Sequence, residues 1–249
     1  MVASSTTRRS QGYYNHKPYG SIMTRILAFP TIIALTIINL CIPHEVFSND
    51  PQKLIEDSAA LAKSLLSDPK WSDYQSHFKR AKGVVLAPDV IKGGLIFGGS
   101  GGQCVIVARN EQTGEWSAPS FCAMGEATIG LQIGIEKLEV MLLIMNNRAL
   151  KRIASGTATL GGEAGISVGF VGSAIESGTT LNLNYDVVGF ARSQGLYGGV
   201  TLEGGYIGPD WAYNHAYYGQ RISAHEILFK NKVNRTQADV LRAALRVGQ

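Results

Sequence analysis

Hydrophobic residues recur at helical spacing at both ends of the region from residue 50 to the C-terminus. Asp50 and Pro51 suit the cap and first turn of a helix that runs to Leu66. A second helical segment covers residues 70–82 and carries the aromatic side chains of Trp71, Tyr74 and Phe78 on one face. The pattern therefore predicts a pair of helices before Gly83.

The C-terminal part is predicted to be helical as well. Ser223 and Glu226 form the S-x-x-E pattern of a capping box ahead of an apolar run. A last amphipathic helix is predicted from Thr236, and four of its apolar residues are expected to face inward: Val240, Leu241, Ala244 and Leu245.

Between these ends the pattern indicates strands. Residues 83–88 read as a short buried strand, and residues 103–110 and 116–124 flank a hairpin turn at 111–115. Strand pattern returns at 128–146 and 157–207, on either side of a short helix between Asn146 and Gly156. We expect one α+β domain over 49–249, with a glycine-rich, mainly antiparallel sheet or barrel-like core framed by N-terminal and C-terminal helices.

Residues 1–48 read as an N-terminal extension with an export signal. Residues 26–42 are apolar and uncharged, basic residues lie upstream, and Met23 would give a signal of conventional length at about 23–48. The alternative is that the segment stays uncleaved as an anchor. The sequence thus predicts an exported protein, periplasmic or extracellular and peripheral to the membrane.

Composition limits the function classes. Hydrophobic residues make up 45% and charged residues 17% of the chain, which describes a globular protein. Most of the net charge of +4 belongs to residues 1–48, where the charged side chains are Arg8, Arg9, Lys17, Arg25 and Glu45. The remainder is nearly neutral, so nucleic acid is not the expected partner.

Residues 98–102 satisfy the G-x-S-x-G pattern of serine hydrolases around Ser100. A nucleophile elbow needs a helix after the serine, whereas a strand is predicted there, so we interpret Ser100 as a turn residue. Neither a Walker A sequence nor metal-ligand spacing is found. We therefore predict no catalytic residues, no metal and no cofactor, and keep a serine hydrolase only as a distant third hypothesis.

Cys104 and Cys122 lie nine residues on either side of Thr113, near the centre of the predicted hairpin turn. Directly opposed strand residues are close enough for a disulfide. The alternative is two small buried thiols.

Basic and aromatic residues on the second predicted helix carry the candidate chemistry. Lys79, Arg80 and Lys82 end this helix, Trp71 lies on it, and Lys92 follows in the chain. Such an element suits an anionic lipid surface, although a cationic C-terminus also balances the helix dipole. The aromatic segment 210–219 fits either an interfacial belt or a lid on the core.

Several separated sequence blocks resemble the SYLF domain, a lipid-binding family: AKGVVLAPDVIKGGLIFGGSGG, WSAPSF, GLQIG, MNNRAL, ARSQGLYGGVTLEG and AYYG. They occur in the family's order and span about residues 52–230. The resemblance implies a non-catalytic fold of glycine-rich β-structure and helices that binds phosphoinositides or other anionic lipids, and in some eukaryotic members actin. Phe170 and the two cysteines depart from the family's pattern, and an export signal fits the exported, bacterial type of member.

The resemblance also places the lipid contact on an amphipathic N-terminal region and basic residues, which match Lys79, Arg80, Lys82 and Lys92 here. The sequence therefore predicts a protein that recognises anionic phospholipid headgroups at a membrane surface. The alternative function is a structural or partner-binding protein of the cell envelope.

Overall fold

The computed structural model describes residues 50–69, 75–94, 97–129, 134–156, 158–161, 165–170, 185–193, 196–197 and 204–247. Trp71 and the predicted export signal lie outside the described residues, so those two predictions stand as they were.

Along the described part of the chain, helices come first and last, and the strands lie between them together with one further helix. The helices are α1 (Pro51–Leu66), α2 (Gln75–Arg80), α3 (Asn147–Ser155), α4 (Trp211–Tyr218), α5 (Ala224–Lys230) and α6 (Asp239–Arg246), the last preceded by a 3-10 turn at Thr236–Ala238. The long strands are β1 (Gly83–Gly94), β2 (Phe97–Ala108), β3 (Ser120–Ile129) and β4 (Gly134–Ile144). The short strands are β5 (Ala158–Thr159), β6 (Val168–Phe170), β7 (Val187–Ser193), β8 (Leu196–Tyr197) and β9 (Tyr206–Pro209).

The strands form one curled sheet in the order β5-β9-β3-β2-β1-β4-β7-β6, and β8 pairs with β7. Among the described strands the pairings are antiparallel apart from the parallel pair of β6 and β7. The sheet curls into a half-barrel with helices at both ends, which confirms the predicted α+β fold. β1, β2 and β3 pair as neighbours in the chain, as local pairing favours, whereas β4 pairs with β1 across the two strands that lie between them in sequence.

Alternate residues of the central strands face two separate cores. On one face, Leu86, Val105 and Met141 pack with apolar residues of α1, α2, α4 and α6. On the other face, Ile106 and Leu142 pack with α3 and the start of α5. Because both faces are covered in this half of the sheet, helices hold the strand ends near Gly83 and Ile144 in place.

Local capping signals predicted the helix ends well. Asp50 caps α1, Asn146 caps α3, and the Ser223–Glu226 capping box begins α5. Gly156 ends α3 in the left-handed conformation, with φ of 76°. The inward position predicted for Val240 is wrong, because Val240 is 47% exposed while Leu241, Ala244 and Leu245 are buried.

The glycine-rich segment is strand rather than turn. β1 extends through Gly94 and β2 begins at Phe97, so Ser100 lies inside β2, opposite Lys92 and Glu126. The turn position predicted for Ser100 is therefore wrong. Gly102 shows one reason for glycine here: an added Cβ would lie 2.5 Å from the Asp89 carbonyl oxygen, where β1 changes register.

Cys104 and Cys122 are directly opposed on β2 and β3, with Cα atoms 4.8 Å apart, and the structure joins them as a disulfide. Both are buried beneath α3 and α5. The turn that aligns them contains Gly114 at φ of 75°, and the Asn110 side chain accepts hydrogen bonds from the next turn residues.

The aromatic segment forms α4 and mostly covers the core. Tyr213, Tyr217 and Tyr218 are buried, and the Tyr218 hydroxyl donates to the Pro119 carbonyl at 2.6 Å. Trp211, by contrast, is 57% exposed. Burial of the tyrosines favours the lid interpretation over an interfacial belt.

Candidate functional site

Basic side chains from three elements meet where β1 begins and β4 ends. We call this surface the basic end, and it consists of Lys79, Arg80, Lys82, Arg148 and Lys151. Lys79 and Arg80 close α2, Lys82 lies between α2 and β1, and Arg148 and Lys151 belong to α3. Two loop residues, Glu111 and Arg109, connect these elements.

Glu111 links Lys82 to α3. Its carboxylate accepts from Lys82 Nζ at 2.6 Å and from Asn147 Nδ2 at 3.3 Å. The hydrogen bond from Lys82, and then that from Asn147, lowers the pKa of Glu111 below its ordinary value. Because the carboxylate stays ionised, it holds the Lys82 side chain against the start of α3 at neutral pH.

Arg109 links α2 to the same loop. Its Nη1 donates to the Lys79 carbonyl at 2.6 Å and its Nε donates to the Gly114 carbonyl at 3.3 Å. The guanidinium also lies over the Trp116 ring, 5.6 Å from its centroid. These contacts fix the C-terminus of α2, and so the backbone that carries Lys79 and Arg80.

Helix α3 presents its basic residues because its other face is apolar. Ala149, Leu150, Ile153 and Ala154 are buried, whereas Arg148 and Lys151, three residues apart, are exposed. This spacing was readable in the sequence, yet Arg148 was not among the predicted site residues.

Asp186 anchors the start of α3. Its carboxylate accepts from Asn146 Nδ2 at 2.7 Å, from the Ser167 backbone N–H at 3.0 Å and from Arg148 at 3.2 Å. Burial alone would raise the pKa of Asp186, but these hydrogen bonds outweigh burial and hold the pKa below its ordinary value. Asp186 was not predicted, because only the fold brings residues 146 and 186 together.

Charge at the basic end remains available to a partner. Lys79 and Lys151 are exposed and form no ion pair within the residues that the structure describes. The Arg148 side chain is 75% exposed despite its contact with Asp186. Exposed ion pairs are weak, so Arg148 and Lys82 can turn to another anion at small cost.

The structure does not bring Lys92 into this surface. Lys92 lies ten residues beyond Lys82 along the same chain, a strand length of about 30 Å. Its cross-strand neighbours are Ser100 on β2 and Glu136 on β4, at the glycine-rich end of the sheet. Lys92 therefore lies at the other end of β1 from the residues of α2, and its predicted lipid contact stays a prediction.

Phe78 does not offer an aromatic surface to a membrane. It is fully buried, and its ring centroid lies 5.8 Å from that of Trp116. The expected aromatic face of α2 therefore packs into the core at this position, since the helix needs an apolar anchor to hold its basic end.

The third hypothesis, a serine hydrolase, finds no support in the geometry. β2 continues on both sides of Ser100, so the strand–turn–helix of a nucleophile elbow is not formed there. Within the described ranges no group of three or more His, Cys, Asp and Glu residues could hold a metal ion. In the same part of the chain, no helix is long and apolar enough to span a bilayer.

Comparison with known proteins adds the remaining evidence. Residues 125–247, from β3 to α6, match a protein-family model described as "Ysc84: Las17-binding protein actin regulator". The chain is 34% identical over 163 residues to the human SH3 domain-containing YSC84-like protein 1, an alignment that covers 65% of this chain and 47% of that protein.

Two yeast proteins are similar as well. LAS seventeen-binding protein 3 of Saccharomyces cerevisiae is 36% identical over 153 residues, covering 60% of this chain and 33% of the yeast protein. Protein YSC84 of the same organism is 35% identical over 153 residues, covering 60% of this chain and 32% of that protein. The chain thus spans about half the length, or less, of the curated relatives it matches.

Proposed function

Because the chain belongs to the Ysc84 family, the family of the SYLF domain, we propose that it is a non-catalytic protein that binds anionic phospholipid headgroups through its basic end. The resemblance found in the sequence motifs is confirmed at the level of the family. The description of the matching family names a binding protein and actin regulator, and LAS seventeen-binding protein 3 is named for binding, which supports a binding role. We also propose that the protein is exported and acts at the periphery of a membrane.

One observation carries the lipid proposal: three elements hold five cations at one end of the sheet. Each Lys or Arg near an anionic membrane surface contributes about 1 kcal/mol. Lys79, Arg80 and Lys151, which form no ion pair among the described residues, would then supply about 3 kcal/mol. Such binding is weak, reversible and sensitive to salt, as expected for a peripheral protein.

Co-sedimentation of the full chain with vesicles tests this function. Vesicles of phosphatidylcholine alone are compared with vesicles that also contain phosphatidylserine, at about 0.1 M and about 1 M salt, where the Debye length falls from about 10 Å to about 3 Å. We expect binding to the anionic vesicles to exceed binding to neutral ones, and the excess to disappear at high salt. Binding to neutral vesicles that salt leaves unchanged would report the apolar N-terminal segment instead.

A matched pair of variants assigns the effect to the basic end. Lys79→Ala with Lys151→Ala removes two charges from it, whereas Lys92→Ala with Lys137→Ala removes two charges from the glycine-rich end. Only the first variant is expected to lose the salt-sensitive excess. Equal losses in both would mean that net charge, rather than this surface, attracts the membrane.

A protein partner is the second candidate function. The description of the matching family names Las17 binding and actin regulation, and in this candidate an acidic protein surface takes the place of the lipid. This candidate predicts that vesicles of either composition leave the chain in the supernatant. The vesicle experiment therefore separates the two functions.

A further inference from the structure

Helix α4 is largely apolar on both of its sides. Its inward side carries three buried tyrosines and the buried Asn214. Its outward side consists of four exposed residues, none of them Asp, Glu, Lys or Arg: Trp211, Ala212, His215 and Ala216. A surface helix normally presents charged and polar residues to solvent, whereas a helix that is apolar all round is covered by other protein. The composition of α4 therefore indicates that a partner covers its outward side.

A groove of about 660 Å³ opens along this outward side. We call it the α4–α5 groove, and its lining comes from the start of α4 and from the segment that leads into α5: Trp211, Ala212, His215, Arg221, Ile222 and Ser223. The exposed indole of Trp211 lies at this groove together with Ile222, which is buried. Trp and Arg are among the residue types most enriched at the energetic centres of protein interfaces, and the groove contains one of each.

Arg221 gives the groove a positive charge that no carboxylate of the lining opposes. It is exposed and forms no ion pair among the residues that the structure describes. The acids that flank the lining in sequence are engaged elsewhere. Asp210 caps α4 and accepts from Gln103 at 3.2 Å, and Glu226 pairs with Lys232 at 2.6 Å. A partner that brings its own carboxylate therefore complements the groove in charge.

We propose that the α4–α5 groove is a docking site for a short peptide segment of a partner protein, with one bulky apolar side chain flanked by carboxylates. The apolar side chain packs on Trp211 and Ile222, and a neighbouring carboxylate pairs with Arg221. A second copy of this chain is a poorer complement, because a two-fold contact of this surface with itself places the same charge on both sides. The groove shares no residue with the basic end, so the docking site is independent of the lipid function proposed above.

Selection of short random peptides, displayed on phage, against the full chain tests the chemistry of the partner. We expect the enriched peptides to share a Leu, Phe or Trp with Asp or Glu a few positions away. A synthetic peptide of the enriched sequence is then titrated with the chain, and binding is followed by fluorescence anisotropy. The affinity should weaken when salt is raised from about 0.1 M to about 1 M, because screening reduces the attraction of Arg221.

Two variants with matched controls assign the binding to the groove. Trp211→Ala is expected to weaken peptide binding about thirtyfold, the value typical of a central Trp. Ile135→Ala, which removes an exposed apolar side chain of β4, is expected to leave the affinity unchanged. Arg221→Glu should remove binding of the acidic peptide and permit binding of a peptide in which Lys replaces the acids. Arg80→Glu makes the same change of charge at the basic end and should alter the affinity by no more than about twofold.

Several outcomes overturn the docking site. Enriched peptides without carboxylates would remove the proposed role of Arg221, and equal losses in Trp211→Ala and Ile135→Ala would show that the peptides do not bind at the groove. A dimer of the chain that Trp211→Ala dissociates would assign the groove to a second copy. Vesicle binding that Trp211→Ala abolishes, without any enriched peptide, would assign Trp211 to the membrane. Salt-sensitive vesicle binding that Trp211→Ala leaves unchanged keeps the lipid function in place, whichever result the peptides give.

Discussion

Asp186 is expected to be the polar residue on which the geometry of the basic end depends most. Replacement by alanine removes a carboxylate that accepts hydrogen bonds from Asn146, Arg148 and both the backbone and the hydroxyl of Ser167. The exposed Arg148 regains water, so its loss costs little. The Asn146 amide and the Ser167 N–H lose a partly buried acceptor, at about 1–3 kcal/mol each. We therefore expect Asp186→Ala to lower the free energy of unfolding by about 3 kcal/mol.

The same contact predicts a pH dependence. The pKa of Asp186 is lowered in the folded protein, so its contribution to stability is complete above its ordinary value of 3.8 and is lost as pH falls through the folded pKa. Asp186→Asn keeps the shape of the side chain and removes the charge. The stability difference between the wild type and this variant should be constant between about pH 5 and 7 and should shrink below about pH 4.

Urea unfolding followed by circular dichroism measures both effects. Asp57→Ala is the control, since it removes an exposed carboxylate whose partner, Lys53, lies one helical turn away. The control is expected to cost less than about 1 kcal/mol. If Asp186→Ala cost no more than the control, or if the difference for Asp186→Asn did not change at low pH, Asp186 would not anchor α3 as described.

Three further predictions concern the core and the N-terminus. Replacing Cys104 and Cys122 by alanine should lower the free energy of unfolding by about 3 kcal/mol. A reductant should shift the urea unfolding curve of the wild type towards that of the variant. A wild-type curve that the reductant leaves unchanged would contradict this prediction. Asn214→Ala should cost about 3 kcal/mol in thermal unfolding, because the fully buried amide pairs with the Phe121 N–H and carbonyl at the edge of β3; a loss below about 1 kcal/mol would show that water replaces it. If the protein is exported as proposed, its mass should correspond to a chain beginning at Asn49, whereas an intact residue 23–48 segment would indicate an uncleaved anchor.

Features governed by neighbouring residues were predictable from the sequence. Asp50, Asn146 and Ser223 cap helices because their side chains bond to backbone groups two or three residues away, so only the local sequence matters. The opposition of Cys104 and Cys122 followed from their equal distance to one turn, because an antiparallel register extends in step from the hairpin. The family resemblance was readable for a similar reason, since its blocks are continuous in the chain.

Features governed by the fold were predicted poorly. Glycines at 98–102 resemble a turn in isolation, but pairing with β1 and β3 on both sides makes the segment a strand. Phe78 resembles part of an exposed aromatic face until Trp116 is packed against it. The composition of the candidate surface differs from the prediction for the same reason. The length of β1 places Lys92 far from Lys82, whereas α3, which follows the end of β4, places Arg148 at the basic end.

The basic end also separates the residues that we propose to bind lipid from the residues that stabilise the fold. Asp186, Glu111 and Arg109 hold the backbone of α3 and α2 through buried or paired contacts. Lys79 and Lys151 extend from that backbone with no ion pair among the described residues, so their replacement should change unfolding by only about 0.5 kcal/mol. A loss of membrane binding on their removal would then be a loss of recognition and not of folding. A rigid scaffold with exposed charge is what a peripheral binding protein requires, because the cations must stay clustered while no membrane is present to attract them.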